Sequence, residues 1–125
     1  MKLLKGLVLG LVLLVALPAL ASEKELSFNY FNAAAYPTGG TWEAFMLTTI
    51  VDENNKPVEN AVITATWDYN DIEICRTNKT GDCKFSNYDI KENTTIFAIE
   101  SVDKKDYTYV DGHMTMMIVG PQGEM

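Results

Sequence analysis

Along most of this 125-residue chain, apolar and polar residues alternate with a period of two, the signature of strands rather than helices. The longest run covers residues 41–51. There Trp42, Ala44, Met46, Thr48 and Ile50 fall on one face, and Glu43, Phe45, Leu47, Thr49 and Val51 on the other. Neither face is cleanly polar, which predicts a central strand with one face on the core and the other partly covered. Asp52-Glu53-Asn54-Asn55-Lys56-Pro57 follows, a turn made by side-chain oxygens and a fixed proline φ. Residues 60–67 alternate again, with Ala61, Ile63, Ala65 and Trp67 opposite Val62, Thr64 and Thr66. After the turn Asp68-Tyr69-Asn70-Asp71, residues 72–76 and 83–86 predict a short hairpin around 77–82. Further strands are predicted at 95–101, 107–110 and Met114–Val119.

The segment 22–36 carries mixed signals. Ser22 with Glu25 resembles a capping box, and Ala33-Ala34-Ala35 favours helix. Leu26, Phe28 and Tyr30 alternating with Ser27 and Asn29 favour a strand, and the reading adopted is a strand over 26–31. Pro37 and the Gly39-Gly40 pair then force a loop. Seven or eight short strands with Asn, Asp, Gly and Pro between them, and no long helical pattern, predict an all-β antiparallel sandwich. One domain is expected over 22–120, with a disordered tail over 121–125.

The first residues change the picture of compartment and charge. Lys2 and Lys5 precede an unbroken apolar run over 6–17, and Ala19-Leu20-Ala21 offers a cleavage site before Ser22. The run is shorter than the roughly 20 residues a spanning helix needs. Residues 1–21 therefore read as a cleaved signal peptide, and the mature chain as secreted, extracellular or periplasmic, with no membrane attachment. Lys2 and Lys5 leave with the signal, so ten basic residues become eight against 17 acidic ones, and the net charge moves from −7 to −9. Such a field repels polyanions, which excludes nucleic acid as a partner.

Cys75 and Cys83 are the only cysteines, and an exported chain can oxidise them. A disulfide here, at the mouth of the expected hairpin, would close a loop of about nine residues and contribute about 2.6 kcal/mol by chain-entropy arguments. The competing two-thiolate metal site would need further ligands, and only His113 is available.

Trp42 opening an alternating strand, then V-D-E-N-N-K-P-V-E-N-A-V-I-T-A-T-W, then Cys-x-Thr-x-x-x-Gly-x-Cys, resembles a family of bacterial and archaeal Ig-like β-sandwich modules. Trp42, Ala44, Asp52, Pro57, Val58, Ala61, Val62, Trp67, Cys75, Thr77, Gly81 and Cys83 occupy the matching places, and the resemblance spans about residues 26 to 110. Asn54-Asn55 and Asn60 depart from the pattern's glycines, but Asn tolerates the left-handed backbone such turns use. The resemblance implies an Ig-like fold and a secreted or cell-surface setting. It carries no catalytic residues.

What remains is candidate chemistry. Four serines survive signal removal (Ser22, Ser27, Ser86 and Ser101), none in a nucleophile-elbow context, and His113 is the single histidine. No enzyme activity and no cofactor are expected. The expected function is a non-catalytic binding or structural module for an unknown protein or carbohydrate at the cell surface. Six tyrosines (Tyr30, Tyr36, Tyr69, Tyr88, Tyr107 and Tyr109) would form a binding strip if they shared a face, whereas Trp42 and Trp67 read as core. The alternative is an exported copper carrier using His113, Met114, Met116 and Met117, since thioethers and imidazole suit Cu(I). On a strand, however, Met114 and Met116 share one face and His113 and Met117 the other, so all four cannot meet one ion. The plainer reading has these methionines filling core gaps. Met114–Val119 is apolar on both faces; a place inside the sandwich is favoured over an exposed edge, which would invite strand-mediated self-association. The acidic turns read as solvated loops. Asn78 and Asn93 head N-glycosylation sequons.

Overall fold

The alternating runs become eight strands, and no helix occurs among the described residues, 24–121 of a computed structural model. The expected signal peptide and residues 122–125 of the expected tail lie outside them. In chain order the strands are β1 (Lys24–Pro37), β2 (Trp42–Asp52), β3 (Val62–Trp67), β4 (Asp71–Arg76), β5 (Asp82–Ile90), β6 (Thr94–Asp103), β7 (Tyr107–Tyr109) and β8 (Met114–Val119). They form two four-stranded sheets, ordered β5-β2-β1-β7 and β4-β3-β6-β8. Every pairing is antiparallel except one, in which Lys24–Leu26 of β1 runs parallel to β7.

The core lies between the sheets, on the faces the alternation marks. Trp42, Ala44, Met46, Thr48 and Ile50 of β2 are all buried, as are Ala61, Ile63, Ala65 and Trp67 on and before β3. On β6 Thr95, Phe97, Ile99 and then Val102 are buried on the core side, and Ala98 is buried as well. A register slip opposite Thr64 and Ala65 makes that three-residue step, because an extra residue in one strand turns its following side chains to the other face. Trp67 and Phe85 both pack on Phe97, with ring centroids 5.0 and 5.1 Å away. Each buried indole has an acceptor: Trp42 Nε1 donates to the Glu92 carbonyl (2.7 Å) and Trp67 Nε1 to Glu73 Oε1 (3.0 Å).

Four expectations change. β1 is more than twice the expected length, because β2 pairs with it as far as Pro37↔Trp42 and draws the three alanines into the sheet; tertiary pairing outweighs their helix propensity. A register slip between Phe28 and Tyr30 then turns Phe31, rather than Tyr30, toward the core. β8 is not interior but an edge strand of the second sheet, with Met114 and Met116 turned inward and Met117 and Val119 exposed.

The fourth change concerns the cysteines. They are bonded, with Cα atoms 6.0 Å apart, but they do not close a hairpin. Cys75 pairs with Ile63 in the second sheet and Cys83 with Thr48 in the first. The disulfide therefore links the two sheets along one side. The connecting loop is held by Thr77, whose hydroxyl accepts from the Ala61 amide (2.8 Å) and donates to the Val58 carbonyl (2.7 Å). Asn78 Oδ1 accepts from the amides of Thr80 (3.0 Å) and Asp82 (2.9 Å), turning the chain toward the other sheet. Gly81, at φ 79°, accepts from the Ile50 amide at its carbonyl oxygen (2.8 Å), and a β-carbon there would collide with the Ile50 carbonyl oxygen. Glu73 adds a second link, since Oε1 also accepts from the Ser86 amide of β5 (3.1 Å).

Candidate functional site

The outward face of the first sheet gathers aromatic side chains that lie far apart in sequence. Register places Ala34, Phe45 and Ser86 side by side on β1, β2 and β5. Tyr36 and Tyr88 stand two residues further along their strands, so they project from the same face as Phe45 and reach it diagonally. The rings form a row: Tyr36 to Phe45 at 5.7 Å and Phe45 to Tyr88 at 6.0 Å between centroids, both edge to face. Lys84 Nζ sits 4.6 Å from the Phe45 centroid, where the ring quadrupole attracts it. Tyr36 and Tyr88 are more than half exposed, at 54% and 57%. Large exposed rings that hold one another in place form a surface with little side-chain freedom left to lose on contact.

The other tyrosines do not join this row. Tyr107 and Tyr109 lie partly buried on β7. Tyr109 donates to the Gly112 carbonyl (2.8 Å); burial first, and the nearby Asp111 carboxylate second, push its phenol up to about 12. Tyr69 is exposed in the turn before β4. Tyr30 is exposed on β1, with Thr49 as its register partner. Across from Thr49, Asp82 accepts from Thr49 Oγ1 (2.6 Å) and Thr80 Oγ1 (2.7 Å). Those two bonds, Thr49's first, hold its carboxyl below the usual carboxylate range.

His113 is exposed, with Nδ1 3.6 Å from Glu100 Oε1. Of the methionines considered for copper, Met114 and Met116 pack against the core while Met117 is exposed at 64%. The strand thus divides its sulfurs between two faces. The acidic turns use their carboxylates on the chain itself. Asp52 Oδ1 accepts from the amides of Asn54 (2.8 Å) and Lys56 (3.0 Å), and Asp68 accepts from Thr95 Oγ1 (2.9 Å) and the Ile96 amide (2.9 Å). Among the described residues no group of three or more His, Cys, Asp or Glu side chains is placed to hold a metal ion. Asn78 and Asn93 are both exposed in loops. Trp42 and Trp67 lie in the core, at 0% and 2% exposure.

Sequence reasoning named Tyr36 and Tyr88 without a common face, and passed over Phe45 and Lys84. The signal for Phe45 was present, since it falls on the outward side of the alternation in 41–51. What joins it to Tyr88 is the β2–β5 pairing, which no local pattern announces. The chain matches no family model, no curated protein and no solved structure. Its architecture is a two-sheet, all-β sandwich closed by one disulfide.

Proposed function

We propose that the chain is an exported, Ig-like, non-catalytic binding module that contacts a cell-surface carbohydrate through Tyr36, Phe45 and Tyr88. The observation that carries this reading is the aromatic row on the outward sheet face, two exposed tyrosines flanking half-buried Phe45, with centroid spacings of 5.7 and 6.0 Å. A sugar ring has an apolar C–H face that stacks on an aromatic ring and hydroxyls that need partners at its rim. The register neighbours of Tyr36 and Phe45, Glu43 and Ser86, supply polar groups at that rim, and so does Lys84. Tyrosine also suits such a wet contact, being apolar along its body and polar at its tip. The disulfide supports an oxidising, extracellular or periplasmic setting. The order of Trp42, Pro57, Trp67, Cys75, Gly81 and Cys83 supports the Ig-like assignment within a two-sheet architecture.

Affinity electrophoresis through gels containing soluble polysaccharides tests the reading. At least one neutral polysaccharide is expected to retard the wild type and to leave a Tyr36→Ala/Tyr88→Ala variant unretarded. Equal migration of the two across the panel, with only extracellular proteins retained in a Tyr-dependent way, would replace carbohydrate with protein as the partner.

A further inference from the structure

The two long sides of the sandwich are finished differently. On one, β4 and β5 are joined by the disulfide and by Glu73. On the other, β7 covers only Lys24–Leu26 of β1. The Val110 amide donates to the Leu26 carbonyl (3.0 Å) and the Phe28 amide to Asp111 Oδ2 (2.8 Å), and there the cover ends. Beyond it, residues 29–37 of β1 have strand partners on β2 alone, and β8 has them on β6 alone. Two open edges therefore lie on the same side, one in each sheet.

The apolar interior between those edges is incompletely closed. Ala33 pairs with Met46 and faces the same way, yet Met46 is 1% exposed and Ala33 is exposed. Phe28, Phe31 and Ala35 of β1 and Met114 and Met116 of β8 are only half-buried. The second sheet does not reach across the inner face of β1.

Charge is distributed to match. Residues 28–37 (FNYFNAAAYP) and β8 (MTMMIV) hold no charged side chain, whereas β4 carries Asp71, Glu73 and Arg76, and β5 carries Asp82, Lys84 and Asp89. Edge strands ordinarily carry charge, because a bare edge templates pairing with another chain.

We propose that two copies of this chain associate through the open side, with β1 antiparallel to β1 and β8 antiparallel to β8. A two-fold axis normal to the sheets returns each sheet to its own plane and reverses its strands. One rotation therefore pairs both edges together and extends each sheet to eight strands. A second copy suits this side because copies with a net charge of −7 repel over most of their surface, while these edges bring no like charges together. Ten residues of β1 at about 3.3 Å make an edge roughly 33 Å long and the six of β8 one of roughly 20 Å, each sheet being about 10 Å thick. The contact would bury on the order of 530 Å² per copy, which for the pair of copies reaches the ~1,000 Å² at which a specific interface begins. Both aromatic rows would then lie on one continuous face. The association does not depend on what those rows bind.

Sedimentation equilibrium of the protein recovered from an extracellular or periplasmic fraction tests the proposal. A doubled mass at micromolar concentration is expected. Ala33→Lys, at an exposed position of the seam, is expected to give a monomer with the wild-type circular dichroism spectrum. Ile74→Lys, on the outward face of β4, is expected to leave the dimer intact. Should A33K disturb the fold, Thr115→Lys at an exposed β8 position makes the same test. A monomeric wild type, a dimer that survives both seam variants, or a dimer dissolved by I74K would each overturn the proposal.

Discussion

The side of the sandwich between β4 and β5 and the side between β1 and β8 face the same problem, and the chain treats them in opposite ways. Where β4 meets β5, a covalent bond and a carboxylate shared by Trp67 and Ser86 tie one sheet to the other, and the Thr77 hydroxyl holds the loop between them to Val58 and Ala61. Where β1 meets β8 no such link is found among the described residues; Phe31 and Ala35 on β1 and Met114 and Met116 on β8 stay half-buried, and residues 28–37 and β8 hold no charged side chain. The lesson is that fastening and exposure are distributed by side. Outer strands stand on both sides, but β4 and β5 are charged and fastened to each other, whereas residues 28–37 and β8 are uncharged and joined by no such link.

The largest expected effect comes from undoing the closed side. Replacing both cysteines by alanine is expected to cost about 2.6 kcal/mol and to lower the melting temperature by roughly 10–20 °C, as read by scanning calorimetry. A loss under a quarter of that would mean the staple does not restrain the unfolded chain. Glu73→Ala comes next, because it leaves the buried Trp67 indole N–H without its acceptor; about 1–3 kcal/mol is expected in urea unfolding. Glu73→Gln, which keeps an oxygen there, should lose clearly less, and equal losses would dismiss the hydrogen bond as the cause. Thr77→Val removes a donor and an acceptor from the loop between the sheets, for about 1–2 kcal/mol.

Smaller effects follow. Asp82 has a lowered pKa in the folded chain, so its stabilisation is present above the ordinary aspartate range and is lost as pH falls through the folded value. Acid titration of stability should show that loss in the wild type, and Thr49→Val should diminish it. Tyr109 runs the other way: its phenol is raised, so its contribution is whole below about 10 and is lost as pH rises toward about 12. The smallest change is expected on the open side, where Ala33→Lys should alter monomer stability by less than about 0.5 kcal/mol. A larger loss would mean that the seam is already closed within one copy.

The strands of the core were legible because burial on one face writes a period of two into the sequence. Trp42 to Ile50 and Ala61 to Trp67 show it without ambiguity. Pairing partners were not. Thr77–Gly81 has the composition of a hairpin turn, and only the pairing of β4 with β3 and of β5 with β2 reveals that the chain crosses between sheets. The length of β1 was hidden for a related reason: Ala33-Ala34-Ala35 has no strand signature of its own and takes its conformation from β2. The aromatic row lay half in view, its tyrosines visible as residues and its common face created by a register that no local stretch encodes.

Amide hydrogen exchange, resolved by peptide and repeated over a range of protein concentrations, tests the contrast between the two sides most directly. Residues 28–37 and 114–119 are expected to exchange rapidly in dilute solution and to gain protection as concentration rises. Residues 82–90 are expected to be protected throughout. Equal protection of both sides at every concentration would contradict the account.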